Sequence, residues 1–245
     1  MHAVQPGSWK RHVIALLIFG TAFGYLEAAV VSYLRLLHEP VRQRFYPGRS
    51  PGELFPLLTQ KQIAAGGPEQ HKVLLTEVGR EVATIVMLAG IALAVAENTT
   101  QWAAAFVITF GTWDITFYLF LKVLLGWPVS FLTWDILFII PVVWAGPVLA
   151  PVLVSVAMIT AGVCHLRRAA NGQGVRLRPR NWVGIVVGAA IIVVSFTLDY
   201  RNIMAGGMPH EFNWPVFGLG MIVASFGYLS GAVESRGVQT RAAAA

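Results

Sequence analysis

Glu77, Arg80 and Glu81 stand within TEVGREVATIV, residues 76–86, inside a stretch otherwise apolar enough to cross a bilayer. On a helix, residues four apart share a face, so Glu77 and Glu81 are neighbours, Arg80 lies beside both, and Thr84 extends the stripe. Three further acids interrupt apolar segments: Glu27, Asp114 and Asp135. A charge at the centre of a membrane helix costs about 2.5–3.5 kcal/mol on insertion scales, so each is a candidate functional group with a partner to be named. Five carboxylates against one guanidinium cannot all stay ionised in low dielectric. Some must hold protons, or a cation must join them. We take Glu27, Glu77, Arg80, Glu81, Asp114 and Asp135 as the ligand- or ion-binding set. Arg80 would neutralise and orient, and the acids would bind a cation or share protons.

A second chemistry open to these residue types is metal binding. Glu77, Glu81, Asp114 and His71 could supply oxygen and imidazole ligands to a divalent metal, the only cofactor the residue types suggest. His38, His210 and Asp135 are further candidate ligands, and a lipid head group would be the natural substrate. The chain has no HExxH, no phosphate-binding glycine loop and no GxSxG, so no catalytic residue is assigned. The third alternative is structural: Arg80 with two or three acids as a buried ion network that fixes helix register in a non-catalytic subunit or scaffold. Such a subunit would have a membrane protein partner.

Composition fixes the setting for this chemistry. The 245 residues are 56% hydrophobic and 12% charged, with mean hydropathy +0.64. Soluble domains carry about twice that share of charge, so the chain is read as an integral membrane protein with the lipid bilayer as its partner. The net charge of +6 belongs to residues flanking membrane spans. No basic run alternates with exposed aromatics, and nucleic acid is excluded as a partner. The single cysteine, Cys164, forms no intrachain disulfide and is expected to be an inert packing residue.

About 20 apolar residues span the hydrocarbon. This criterion predicts one transmembrane domain over 1–245, an all-α polytopic bundle of six spans: 13–34, 73–96, 102–121, 147–166, 182–198 and 214–233. The first follows a basic flank but runs too long for a cleaved leader, so it is read as a retained span. Residues 35–72 form a Pro- and Gly-punctuated outer loop with room for one short helix. Residues 130–144, broken by Pro141 and bounded by Pro147, are expected to form a short or re-entrant helix.

Lys10, Arg11, the five arginines of 165–181, Arg236 and Arg241 all fall on one side of a six-span topology. That side is assigned to the cytoplasm, with both termini there and the protein in the inner (plasma) membrane. The loop 35–72 also carries basic residues, more dilutely. This topology puts all five acids in the outer half, where His38, His71, His210, Asp199 and Arg201 could join them, while His12 and His165 are read as flank residues at the inner interface. Gly20 and Gly24 form a GxxxG on the Glu27 side of span one and would let span two approach closely.

The stretches GYLEAAVVSYLR, EVGREVATIVMLAG and FGTWDITFYLFLKVLLGWPVSFLTWDILFIIPVVWAGPVLAPVLVS resemble a group of bacterial multi-pass membrane proteins to which no activity is assigned. The resemblance covers most of spans one to four. It implies a shared membrane core and carries over no catalytic role.

Overall fold

The computed structural model describes residues 8–50 and 52–243, and the side chains of 9–50 and 52–235. Arg236 and Arg241 of the basic C-terminal flank therefore have no described side chains. The chain folds into α1 (Ser8–Phe45), α2 (Gln60–Ala65), α3 (Pro68–Val95), α4 (Thr99–Leu125), β1 (Trp134–Phe138), β2 (Trp144–Pro147), α5 (Leu149–Ala170), α6 (Pro179–Thr197), α7 (Tyr200–Met204) and α8 (Trp214–Ala243). Among the described residues six helices are long and apolar enough to cross a membrane, with mean hydropathy between 1.5 and 2.0. Their outward faces carry Ile14, Ile18, Val86, Leu93, Val156, Val186, Ile222 and Phe226, all exposed. Such faces are stable only against lipid tails. The protein is a polytopic helical membrane bundle.

Local chemistry marks the helix ends. Asn98 caps α4, its Oδ1 accepting from the Gln101 N–H at 3.0 Å, and Gly126 ends the helix in the left-handed region at φ +67°. Pro68 and Pro179 open α3 and α6, where a missing N–H costs nothing. Thr59 and Gln62 form a reciprocal capping box on α2. At about 1.5 Å per residue, the 38 residues of α1 run well past a 30 Å hydrocarbon core. The expected loop 35–72 is therefore shorter than its sequence span: its start belongs to α1 and its end to α3.

Helix α4 is central, packed against α1, α5 and α3, while α6 and α8 pair with each other. Lipid tails are as apolar as leucine, so close packing and hydrogen bonds, rather than the hydrophobic effect, hold such helices together. A Cβ on Gly24 would lie 2.9 Å from the carbonyl oxygen of Trp113 and the amide nitrogen of Phe117. The GxxxG of span one thus receives span three (α4), not span two as expected. A Cβ on Gly188 would come within 2.3 Å of the Ala224 backbone nitrogen, so α6 and α8 touch backbone to backbone.

The segment 130–144 is not a helix. β1 and β2 form an antiparallel hairpin in which Trp134 faces Pro147, Asp135 faces Gly146, Ile136 faces Ala145 and Phe138 faces Trp144, with an irregularity between Ile136 and Phe138. Pro141 and Pro147 interrupt the segment, and aromatic and β-branched residues, which favour strands, fill it. The hairpin pairs the facing backbone groups of its two strands, and other elements must meet the groups on its outer edges. Two further bonds, Val148 N–H to Thr133 O at 3.0 Å and Leu149 N–H to Phe131 O at 2.8 Å, carry the ladder into α5. β2 is largely buried and packs against α5 and α6, while β1 is partly buried.

Cys164 is exposed, not a core packing residue. It sits one position off the buried stripe of Gly162, His165 and Leu166 and so faces outward. His165, read as a flank residue at the inner interface, lies near the end of α5 and is buried, 4% exposed with its ring 6.4 Å from that of Tyr228.

At the hairpin end of the bundle, Asp199 ties the α6–α8 connection. Its carboxylate accepts from the His210 N–H at 2.9 Å and the Asn202 amide at 3.1 Å, and meets His210 Nδ1 at 2.7 Å. Partial burial pushes the carboxyl up, but the hydrogen bonds from His210 and Asn202 outweigh it and hold Asp199 below its usual value. Folding therefore favours the ionised form. The stabilisation is present above the unfolded-state carboxyl pKa and is lost as pH falls through the lower folded value. Asp199→Asn is expected to lower the melting temperature at pH 7 and to have progressively less effect as the medium is acidified below pH 4. A melting difference independent of pH would refute this.

Candidate functional site: a charged chamber inside the bundle

The stripe 77–81–84 faces inward because nothing in lipid could balance its charges. The structure places Glu27, Glu77, Arg80, Glu81, Asp114 and Asp135 on the wall of one cavity of about 860 Å³. It lies in the hairpin half of the bundle. α1, α3 and α4 build three sides, α5 and α6 the fourth, and β1 together with residues 52–58 covers the top. Most of the wall is apolar, with Val31, Phe106, Phe110, Phe117, Leu137 and Phe196 among its residues.

The polar groups fall into three sets. In the first, Arg80 bridges two helices, pairing with Glu27 of α1 and with Glu77 of its own helix. Its Nε donates to Glu77 Oε2 at 2.8 Å, and the Thr84 hydroxyl reaches Glu27 Oε2 at 3.4 Å. In the second, Glu81 takes the Ile139 N–H on both oxygens, at 3.0 and 3.1 Å, and so pins α3 to the end of β1. In the third, Asp114 accepts from the Ser155 hydroxyl at 2.8 Å and Asp135 from the Tyr118 hydroxyl at 3.0 Å. Arg35 lies with its guanidinium 4.0 Å from the Trp127 ring centroid and acts electrostatically on Asp135. Glu27, Glu81, Asp114 and Asp135 are all under 9% exposed.

Tyr118, Ser155 and the covering loop are among the wall residues that the sequence reading did not assign to the site. Tyr118 follows Asp114 by one helical turn, a spacing that already puts the two on one face. Ser155 is a lone hydroxyl in the apolar run PVLVSVAM, and a polar group in such a run needs a partner. The covering loop has no sequence signal of this kind. Its position follows from Phe55, buried with Val143, Ala145 and Ile203 against the hairpin.

Two groups of expected participants are elsewhere. His38 lines the cavity, but His71 is exposed on α3, and His210, Asp199 and Arg201 lie outside the wall. The metal set Glu77, Glu81, Asp114 and His71 is not assembled. Among the described residues no three His, Cys, Asp or Glu side chains converge as ligands. The reason is geometric. Each carboxylate is held apart by its own partner, Glu77 by Arg80, Glu81 by a backbone N–H and Asp114 by Ser155.

No family model, no curated protein and no solved structure matches this chain. The reading of the chamber stands on its geometry.

Proposed function

We propose that the protein is a cation-binding membrane protein of transport type, taking an organic cation into the chamber in exchange for protons. One observation carries this reading. Asp114 is 8% exposed, lines the cavity, and accepts from the Ser155 hydroxyl on Oδ2 with no ion pair to a cation among the described residues. Glu27 and Glu77 use Arg80, and Asp135 has Tyr118 and the nearby Arg35. Asp114 is thus the buried cavity carboxylate with neither an ion pair nor a backbone N–H bonded to it among the described residues. A proton or a bound cation neutralises it, and the two compete for the same carboxylate oxygen. Competition of this kind is the elementary step of coupled exchange.

The volume argues for an organic cation over a bare ion, since pockets of about 300–1,000 Å³ with apolar walls and a few polar groups suit drug-sized molecules. Phe110, Trp113 and Phe117 line one wall and are aromatic side chains of the kind that attract such a cation. The orientation we adopt has both termini in the cytoplasm of a cell whose inner (plasma) membrane holds the bundle. The chamber then faces outward. Its support is the arginine cluster 167–180, which lies at the end of the bundle away from the hairpin.

The test is saturable binding of tetraphenylphosphonium to the protein in lipid nanodiscs. One site per chain is expected, weakened at least tenfold in Asp114→Asn and by acidification. No saturable binding, or binding indifferent to both changes, would overturn the proposal.

A further inference from the structure

The chamber wall holds one arginine that mirrors Asp114. Arg35 and Arg42 of α1 and Arg80 of α3 all line it. Arg80 is taken by Glu27 and Glu77. Arg42 donates to two backbone carbonyls, Glu53 O and, at 3.3 Å, Ser50 O, and so holds the covering loop. Arg35 has neither kind of partner. Among the described residues it forms no ion pair and no hydrogen bond. Its Nε is buried, whereas its terminal nitrogens are not.

The guanidinium is nevertheless fixed in place. Its carbon lies 4.0 Å from the ring centroid of Trp127, which is 5% exposed. A ring face attracts the charge but brings no carboxylate oxygen to the N–H fork. The charge of Arg35 acts on Asp135, but Asp135 accepts from the Tyr118 hydroxyl at 3.0 Å and makes no ion pair. Arg35 and Asp114 both act electrostatically on Tyr118. The unpaired base and the unpaired acid therefore stand around one tyrosine, in one part of the chamber.

This arrangement narrows the ligand. A molecule with positive charge alone would neutralise Asp114 and be repelled by Arg35. A molecule that also carries an anionic group turns that repulsion into attraction, and a guanidinium fork matches a carboxylate with two parallel hydrogen bonds. With Asp135 close to the single arginine, a singly charged carboxylate suits the position better than a phosphate monoester of nearly twice the charge.

Resting on the cation-binding reading above, we infer that the natural ligand is a zwitterion, an organic cation that also carries a carboxylate, its cationic group at Asp114 and its carboxylate on the Arg35 guanidinium.

Competition against labelled tetraphenylphosphonium in nanodiscs at neutral pH separates this from simple cation binding. The probes are γ-butyrobetaine and its methyl ester, which share a quaternary ammonium and a chain and differ in the charge on the carboxyl. The free carboxylate is expected to compete more strongly than the ester by roughly tenfold or more, the worth of a hydrogen bond between charged groups. Arg35→Gln should abolish that advantage while tetraphenylphosphonium binds at least as tightly as before, because a repelling charge has gone. Arg35→Lys, which keeps the charge and loses the fork, should lose part of the advantage, and it carries the decision if Arg35→Gln does not fold. Arg44→Gln, exposed on the same helix and off the cavity wall, is the control and should change nothing. Equal competition by the two probes, or an advantage undiminished by substitution of Arg35, would overturn the carboxylate site while leaving cation binding intact. Absence of tetraphenylphosphonium binding by the unaltered protein would remove both proposals together.

Discussion

Arg80→Met is expected to destabilise the bundle by about 3 kcal/mol, the lower end of the range for breaking a buried ion pair from one side. The substitution leaves Glu27, 6% exposed, and Glu77 facing each other with no cation between them. The lower end applies because the Arg80 side chain is 21% exposed, so the pair is not fully desolvated. The damage should lie in the abandoned acids and not in the missing arginine. Adding Glu27→Gln and Glu77→Gln to Arg80→Met is therefore expected to recover most of the loss. Reversible unfolding in mixed micelles, monitored by circular dichroism, measures both. Equal stability of Arg80→Met and the unaltered protein would mean that the network does not join α1 to α3.

Gly188→Leu should be at least as severe, by a different mechanism. The Cβ alone would stand 2.3 Å from the Ala224 nitrogen and 2.7 Å from its Cα, both backbone atoms that cannot rotate away. α6 and α8 would have to separate. Overpacking typically costs about 1–3 kcal/mol and more when no side chain can yield. The same leucine at Ala190, exposed two residues along, is expected to be neutral. A Gly188→Leu protein that unfolds like the Ala190→Leu protein would show that backbone contact does not hold this pair.

The six spans were legible because bilayer thickness imposes a length that composition reports directly. The acids were legible as a set for a related reason. Charge in an apolar helix has to turn inward, and Glu77, Arg80, Glu81 and Thr84 repeat at helical spacing. The hairpin was not legible as strands. WDILF and the residues around Trp144 are short apolar runs that read equally well as helix, and only the proline spacing argued against one. Nor could the sequence say which helix would use Gly20 and Gly24. A GxxxG marks a surface for close approach, and its partner was decided by Thr112 and Thr116 on α4. The metal set failed because residue types were assembled without their competing partners. Ser155, the Ile139 N–H and Arg80 each claim one of its carboxylates.

The central claim is that these acids line a space built to hold a cation. The most direct measurement is a density map of the protein in nanodiscs with tetraphenylphosphonium present. The account predicts density for the cation in the chamber, within reach of Asp114 and Glu81 and beside Phe110, Trp113 and Phe117. A chamber filled by its own side chains, with the cation bound only at the bundle's surface, would contradict it.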